Sequence, residues 1–518
     1  MRSAFVKSLA VAFVAFAVLF ALEFFLEWRY WGYPGLAELS WVGVNNAKLV
    51  DVLSPMARAY NNVLAMLIAT IGLAIPLTAN MHTPKLIDMF LRDSINRVVL
   101  SFMAFGAAHV LFVAYIIGPE FAPTWAIGMA VFFSISGWAI LIPYFFYMMR
   151  FLDPSRVIVR LREETERIVE LTAARRLDAV DSQHQVSLRL AQLGTIVIKS
   201  LDREDRDVAR EGIWAIKQLL DHYETHKPCM SAAWFRVDRA DFVGFSDEAL
   251  DMLTEANTWY EMKCGLQLEL GYLRALSKAS DTVSSFSDAN RVIASRALAR
   301  GDEEAVRLAI RFFNNFLREG MKARNLRAVY DVFHQYRRLG RELVDRPQLL
   351  RELGHHFTYY AGMARIYGMV FAPQLAAFDL GYVIRRAYEA RSAAAADLLG
   401  TLLELPHRHG SDVHSLAVKA KLILGGFFVE NKLDAEAQLV RDNLRDVERE
   451  EIDRARHDLL SANRSFFEVT DRQLNLEYVP PERRVPLREF CDALVADRPS
   501  SPHLEGQPRA GQAATSAG

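Results

Sequence analysis

The chain has 518 residues, of which 52% are hydrophobic, and a formal net charge of -1. This length exceeds that of one ordinary domain, and the near-zero net charge argues against nucleic acid as a partner. The three cysteines, Cys229, Cys264 and Cys491, are odd in number and far apart in sequence. The sequence therefore predicts no disulfide framework.

Four apolar segments predict membrane-spanning helices. They are residues 8–22, 63–78, 98–117 and 125–149. A helix of about 20 mostly apolar residues crosses the hydrocarbon core, because its backbone groups hydrogen-bond within the segment. The second segment is short, so we expect it to tilt little or to continue as helix into the following loop. The first is expected to be an uncleaved signal anchor, since Glu23 and Glu27 follow it without a small-residue cleavage site.

Positively charged residues predict the orientation of the spans, because such residues stay on the cytoplasmic side. They precede the first segment, occupy the loop between the second and third, and follow the fourth: Arg2, Lys7, Lys85, Arg92, Arg97, Arg150, Arg156, Arg160 and Arg162. Both termini are therefore expected in the cytoplasm of a bacterium, with the spans in its inner membrane. Residues 28–62 are expected to form a loop on the outside.

Few polar residues or prolines interrupt the predicted spans: Thr70, Pro76, His109, Ser134, Ser136 and Pro143. Polar groups are costly in hydrocarbon, so they are the usual sign of conduction or transport. His109 fits a pore-lining or proton-binding role, or alternatively a hydrogen bond between helices to a neighbour such as Ser134 or Thr70. We expect no acidic residue within the spans, which weakens the case for a proton-driven carrier.

The loop between the second and third spans is basic and amphipathic, which predicts a short helix at the membrane interface. Its candidate interfacial residues are Pro84, Lys85, Arg92, Asp93 and Arg97. Arg92 and Asp93 fit either a pair of gating residues or a solvated cluster that meets lipid head groups.

The same loop, HTPKLIDMFLRDSINRVVLS at residues 82–101, resembles the corresponding loop of a bacterial membrane protein family known as domain of unknown function twenty-two fifty-four. The matching positions are Pro84, Lys85, Phe90, Leu91, Arg92, Asp93, Val98, Val99 and Leu100. The order of four spans followed by a cytoplasmic domain is similar as well, so the resemblance covers roughly the first half of the chain. PYFFYMMRFLDP stands where the family has a histidine pair, and SLDREDRD stands where it has a Gly-Asn-Asp-Pro-like turn. The resemblance implies a membrane protein and no particular reaction.

Beyond residue 150 the sequence is charged and mostly helical in pattern. Pro154 fits the first turn of a new helix, and Asp202 or Asp205 fits the cap of a later one. Residues 232–245, AAWFRVDRADFVGF, predict a small β-hairpin. From residue 246 helix-length units recur in pairs about every 40 residues, which predicts a solenoid-like stack.

The predicted fold is therefore all-α, with a four-span membrane bundle, a mostly helical cytoplasmic domain and one β-hairpin. The predicted domains are residues 1–150 for the spans, 151–245 for a membrane-proximal region, 246–496 for the helical domain and 497–518 for a disordered tail.

Histidines in the soluble part suggest one metal site. His222 and His226 lie one helical turn apart and Cys229 follows, so three nitrogen and sulfur ligands are within range of a zinc ion. The alternative is a polar helix end that Lys227 and Pro228 terminate. No phosphate-binding loop, dinucleotide fingerprint or nucleophile elbow occurs, so the sequence carries no enzyme signature and no cofactor is expected.

Three classes of function remain open. The first is a channel-like or transport-related homo-oligomer in the lipid bilayer, with Thr70, Ser134 or His109 facing a wet pore. The second is a membrane-anchored scaffold or sensor that binds a protein partner through its helical domain. An enzyme that uses the soluble histidines is the third. We prefer the first, because four closely spaced spans exceed what anchoring requires.

Overall fold

The computed structural model describes residues 2–31, 46–81, 86–117, 122–406, 417–465, 472–473 and 475–496. Across these ranges the regular structure is helical and no β-strand forms, which confirms the all-α prediction. The chain forms two compact units. The first comprises Met1–Arg167 with Ala191–Ala215, and the second comprises Ile168–Leu190 with Ile216–Gly518. The predicted tail at residues 497–518 lies outside the described ranges.

The first unit begins with five helices. They are α1 Arg2–Trp31, α2 Asn46–Met81, α3 Leu86–Arg92, α4 Ser94–Ile116 and α5 Thr124–Phe151. Within the described ranges, three stretches are long and apolar enough to cross a membrane: Asp51–Thr78, Ser94–Ile116 and Thr124–Phe151. The remaining predicted span, residues 8–22, lies within the 30-residue helix α1. Its crossing of the bilayer remains a prediction.

Helix α2 is much longer than predicted, and most of the extra length precedes the predicted span. The sequence predicts a span over residues 63–78 that continues forward, yet α2 begins at Asn46. Leu53, Ala57 and Tyr60 recur at helical spacing and are each at most 2% exposed. They are buried because this part of α2 packs against α4 and α5. The segment just before residue 63 is therefore helix rather than loop.

Two glycines let α2, α4 and α5 approach closely around Tyr60. A Cβ atom on Gly106 of α4 would lie 2.8 Å from the Tyr60 hydroxyl, and one on Gly137 of α5 would lie 2.4 Å from Tyr60 Cε2. Gly128 of α5 has no atom within 4 Å of such a Cβ. Membrane helices associate through close contact at small residues, and here Gly106 and Gly137 provide it.

Helices α6 (Pro154–Ala173), α7 (Ala179–Asp202) and α8 (Arg206–His226) contribute residues to both units. Pro154 opens α6 as predicted, and the Asp153 side chain accepts the amide of Ser155 at 3.0 Å. Of the two predicted caps of α8, Asp205 accepts the amide of Val208 at 3.3 Å.

The second unit continues with twelve helices in the described ranges: α9 Asp247–Ala256, α10 Trp259–Lys278, α11 Val283–Arg300, α12 Glu303–Lys322, α13 Leu326–Glu342, α14 Pro347–Ile366, α15 Phe371–Glu389, α16 Ala395–Leu403, α17 Val418–Glu430, α18 Asp434–Asn443, α19 Arg449–Ser461 and α20 Pro481–Ala496. From α10 to α15, each helix contacts the next one and the one two positions later. Even-numbered and odd-numbered helices therefore form two layers. The even-numbered helices α10, α12, α14 and α16 start 44, 44 and 48 residues apart, close to the period of about 40–47 residues of helical repeats.

The predicted β-hairpin is not present. Residues 232–245 instead form two short 3-10 turns, Ala232–Phe235 and Arg239–Asp241. The backbone carbonyl of Trp234 accepts a hydrogen bond from the side-chain amide of Gln183 at 3.1 Å, so it does not pair with a strand. The Trp234 ring is fully buried, with its centroid 4.9 Å from that of Trp259. Packing against distant helices overrides the local preference for strand.

Candidate functional site

Two acidic side chains of α1 face the interior of the first unit. Glu23 and Glu27 lie four residues apart, on one face of the helix, and are 3% and 1% exposed. The neighbouring Phe24, Phe25 and Trp28 are exposed. At this end of α1 the two carboxylates thus face inward and these three aromatic rings face outward. The sequence reasoning placed both acids at the end of the first span and expected no acid among the spans, so it missed this feature.

Glu23 pairs with His109 of α4. His109 Nε2 lies 2.8 Å from Glu23 Oε1, and the His109 side chain is fully buried. The imidazole stacks on Phe20 at a centroid distance of 5.1 Å, and the ring of Phe133 lies 5.3 Å away. The helix-to-helix bond predicted for His109 therefore goes to an acid rather than to Ser134 or Thr70. A carboxylate and an imidazole in aromatic surroundings can exchange a proton directly.

Several buried polar atoms near these helices have no hydrogen-bond partner. Each residue of the Glu23–His109 pair has one such unpaired atom, Glu23 Oε2 and His109 Nδ1. Two hydroxyl oxygens of α5, Ser134 Oγ and Thr124 Oγ1, are in the same condition. Most buried polar atoms in proteins are hydrogen-bonded, so such exceptions require an explanation. The Glu23–His109 hydrogen bond is thus flanked by one unpaired oxygen and one unpaired nitrogen, and both atom types can form a further hydrogen bond.

Glu27 caps the N-terminus of α5. Its two carboxylate oxygens accept the amides of Thr124 at 2.9 Å and Trp125 at 3.0 Å. These amides have no acceptor within the helix, and Pro123, the residue before the helix, provides no side-chain cap. A negative charge is also stabilised at a helix N-terminus. The cap lies one helical turn, about 6 Å along α1, from Glu23.

A second polar cluster lies at the opposite end of α4. Asp93 caps α4 by accepting the amides of Ile95 and Asn96 at 3.0 and 3.1 Å. The hydroxyl of Tyr144 on α5 donates to Asn96 Oδ1 at 3.2 Å. Arg160 of α6 places Nη2 3.5 Å from Asp93 Oδ2. Asp93 is thus placed beside Arg160, whereas the side chain of Arg92 is exposed.

The other candidate residues of the membrane region are spread over the first unit. Thr70, Pro76, Pro143 and Arg97 are exposed, and Ser136 is half-buried. Pro84 and Lys85 lie outside the described ranges. The structure therefore brings His109 and Ser134 into the interior of the first unit and leaves Thr70 on its surface.

In the second unit, two of the three predicted zinc ligands, His222 and His226, lie near an acid that the sequence did not single out. His222 Nε2 lies 3.6 Å from Glu170 Oε1, and the two imidazole centroids of His222 and His226 are 4.5 Å apart. One donor atom from each of these three residues falls within 4.8 Å of the others. Cys229 is exposed and outside this group. Metal binding here remains a hypothesis. No sequence pattern links Glu170 to the two histidines, because it lies 52 residues before His222.

A buried acidic cluster occupies the same unit. Glu224 of α8, Glu261 of α10 and Asp302 at the start of α12 offer oxygens within 4.8 Å of one another. Lys227 Nζ donates to Glu261 Oε1 and to Asp302 Oδ2, both at 2.5 Å. One lysine faces three carboxyl groups, and burial together with the charge of Glu261 raises the pKa of Glu224 to about 8. Glu224 therefore keeps its proton at neutral pH.

Comparison with known proteins finds a family match for the first part of the chain. Residues 2–200 match the model of the family described as "Predicted membrane protein (DUF2254)". This confirms the resemblance seen at residues 82–101 and covers α1 to α5. No curated protein matches the chain. No solved structure matches it either. The family description names a membrane protein and no activity.

Proposed function

We propose that this chain, whose residues 2–200 match a family of predicted membrane proteins, moves protons across a membrane through the Glu23–His109 pair. The supporting observation is the buried 2.8 Å contact between a carboxylate and an imidazole on two helices, with one open polar atom on each group. Ionisable groups are expensive within a bilayer, and acids and histidines found there mark proton relays. A hydrogen bond whose sole purpose is to hold helices together needs no ionisable partners.

The chemistry uses both nitrogens of His109. In the tautomer that carries hydrogen on Nε2, Nδ1 is a free acceptor, and it is the buried atom without a partner. A proton that arrives at Nδ1 makes an imidazolium, which releases the Nε2 hydrogen to Glu23 Oε1. The products are a neutral histidine protonated on Nδ1 and a neutral glutamic acid. The proton has then crossed the imidazole without a large movement of the ring.

Polar groups at lower levels of α4 supply the rest of the proposed route. The Tyr60 hydroxyl lies 3.6 Å from Met103 Sδ, which is six residues or about 9 Å along α4 from His109. Asn96 and Tyr144 form the next polar level, about 10 Å further along the helix. These gaps exceed a hydrogen bond, so the route requires water between the levels. It runs within one protomer, rather than along an axis shared by several.

The test is proton flux into liposomes that contain the purified full-length protein. An internal pH-sensitive dye reports acidification when a potassium gradient and an ionophore impose a membrane potential. We expect flux that depends on the protein and falls at least tenfold in Glu23→Gln and in His109→Gln, since each variant removes one proton-exchanging group.

Glu27→Gln is the matched control, because it makes the same substitution one helical turn away at a capping residue. Its flux per folded protein should remain, with a lower melting temperature from the weakened cap. Flux that persists unchanged in Glu23→Gln and His109→Gln would contradict the proposal. Absence of flux at every imposed potential would favour the alternative, a membrane-anchored scaffold or sensor whose stacked helices bind a protein partner.

A further inference from the structure

A pocket opens on the layer of odd-numbered helices in the second unit. Its volume is about 220 Å³, and α13, α15, α17 and residues 475–480 form its walls. Most of the lining is apolar, with Phe378, Ile423, Leu424, Phe427 and Tyr478 among its residues. Ligand sites are typically apolar clefts with a few polar groups that fix orientation. This pocket is smaller than the ~300–1,000 Å³ of drug-sized sites, so it suits a small molecule.

Two arginines supply the polar part of the pocket. Arg337 of α13 and Arg385 of α15 both lie over the ring of Tyr382. Their guanidinium carbons are 3.9 and 5.1 Å from the centroid of that ring. All three residues line the cavity. The ring holds both planar cations beside the apolar walls, where the loss of water strengthens their attraction for an anion.

The acidic groups nearby do not balance these arginines. Asp379 is fully buried and accepts two hydrogen bonds from Arg472, at 3.0 and 2.8 Å. Arg337 is 3.6 Å from the same carboxylate, which it must share. Glu389 lies within ion-pair distance of three arginines: Arg385 at 3.6 Å, Arg386 at 2.5 Å and Arg483 at 4.0 Å. Arg483 also lies 3.4 Å from Glu430, so these acids pair mainly with the arginines outside the pocket.

Arg385 has a weakly satisfied donor as a result of this crowding. Its Nε is buried and makes no hydrogen bond, and Glu389 Oε1 lies 3.6 Å from it. Burial lowers the pKa of the Arg385 guanidinium, and the neighbouring charges of Arg483 and Arg337 contribute to the lowering. The Arg337 pKa is lowered by burial as well. The site is therefore short of negative charge, and a bound anion would relieve the deficit.

We propose that this pocket binds a small monocarboxylate with an apolar aromatic or aliphatic body. The carboxylate accepts hydrogen bonds from the guanidinium fork of Arg385, whose planar geometry matches two oxygens. The body of the ligand packs on Phe378, Phe427 and Tyr478. Because the pocket lies in the second unit, this inference is independent of proton movement through the first.

The experiment measures ligand binding to the full-length protein in detergent, by calorimetry and by the shift in melting temperature. The probes are benzoate, phenylacetate and octanoate. Benzyl alcohol and octanol have similar bodies without the charge, and inorganic phosphate has charge without a body. We expect the carboxylates to bind and to raise the melting temperature, and the alcohols and phosphate to bind at least tenfold more weakly.

Variants assign the binding to the pocket. Arg385→Gln should weaken carboxylate binding at least tenfold, and Arg385→Lys should weaken it less, because the charge remains while the fork is lost. Arg341→Gln removes an exposed arginine one turn after Arg337 on α13 and should leave binding unchanged. A melting temperature near that of the unmodified protein establishes that each variant is folded. Equal binding of alcohols or phosphate, or unchanged binding in Arg385→Gln, would overturn the proposal.

Discussion

Single residues in this protein owe their chemistry to neighbours that are distant in sequence. In the sequence, Glu224 belongs to a charged helix end. In the structure it is buried beside Glu261 and Asp302, with Lys227 as the nearby cation. The pKa of Glu224 is raised from 4.5 to about 8. His109 likewise acquires a carboxylate partner, Glu23, from another helix. Sequence periodicity marks which residues are buried, but it does not report which ionisable groups meet.

The raised pKa of Glu224 predicts a loss of stability at alkaline pH. Between pH 4.5 and 8 the folded chain retains a proton that the unfolded chain has released, so the free energy of unfolding falls as pH rises through this window. Glu224→Gln stays neutral at every pH. We expect its melting temperature to be close to that of the unmodified protein near pH 5 and to exceed it at pH 9. The corresponding change in the difference in unfolding free energy is on the order of 4 kcal/mol.

The measurement is thermal unfolding followed by tryptophan fluorescence from pH 5 to pH 9. Glu255→Gln serves as a control, because Glu255 is an exposed acid on α9 and its loss should leave the pH profile unchanged. Identical pH profiles for Glu224→Gln and the unmodified protein would show that Glu224 does not retain its proton in the folded chain.

At the scale of elements, the packing of the spans depends on a few small residues. Among the small residues of α4 and α5, Gly106, Ala107 and Ala130 are buried where helices meet. Ala108 and Gly128, which lie within two residues of them in sequence, are exposed. The difference arises because one side of each helix faces its neighbours and the other does not. Composition alone lists the small residues, and the helical face decides which of them are contacts.

Gly137→Ala and Gly128→Ala test this distinction within one helix. A methyl group on Gly137 would meet the Tyr60 ring at 2.4 Å, whereas one on Gly128 has open space. We expect Gly137→Ala to destabilise the protein by about 1–3 kcal/mol through overpacking, and Gly128→Ala to be neutral or slightly stabilising. Melting temperatures in detergent provide the measurement. Equal effects of the two substitutions would argue against the close contact at Tyr60.

At the scale of the whole molecule, α2 has a large uncovered surface. In its most apolar stretch 6% of the residues are buried, whereas 33% are buried in the corresponding stretches of α4 and α5. Exposed residues such as Met66, Thr70 and Leu73 lie along it. An apolar helix with so little cover in its own chain is available to contact lipid or a second copy. The homo-oligomer predicted from sequence remains a proposal, and we propose this face of α2 as its contact surface.

We therefore expect a mass in detergent above that of one 58.7 kDa chain when the protein is measured by light scattering. Leu73→Trp places a bulky ring on the exposed face of α2 and should reduce the association. Ile135→Trp, at a comparably exposed position of α5, is the matched control and should retain it. A single-chain mass for the unmodified protein would remove this proposal without affecting a proton route that lies within one protomer.

Apolar length and helical spacing determined much of this protein from sequence alone. They predicted the all-α class and three helices that are long and apolar enough to cross a membrane, because burial of apolar residues acts locally and periodically along the chain. Pro154 predicted the first turn of α6. The loop at residues 82–101 predicted the family match.

Tertiary structure alone decided the rest, because it depends on contacts between residues far apart in sequence. It replaced the predicted hairpin at residues 232–245 by 3-10 turns, since Gln183 and Trp259 take up the hydrogen bonding and packing of that segment. It extended α2 back to Asn46, and it joined Glu23 to His109 across 86 positions. A hydrogen bond between two buried ionisable groups leaves no periodic pattern, so only the packing of the helices reveals it.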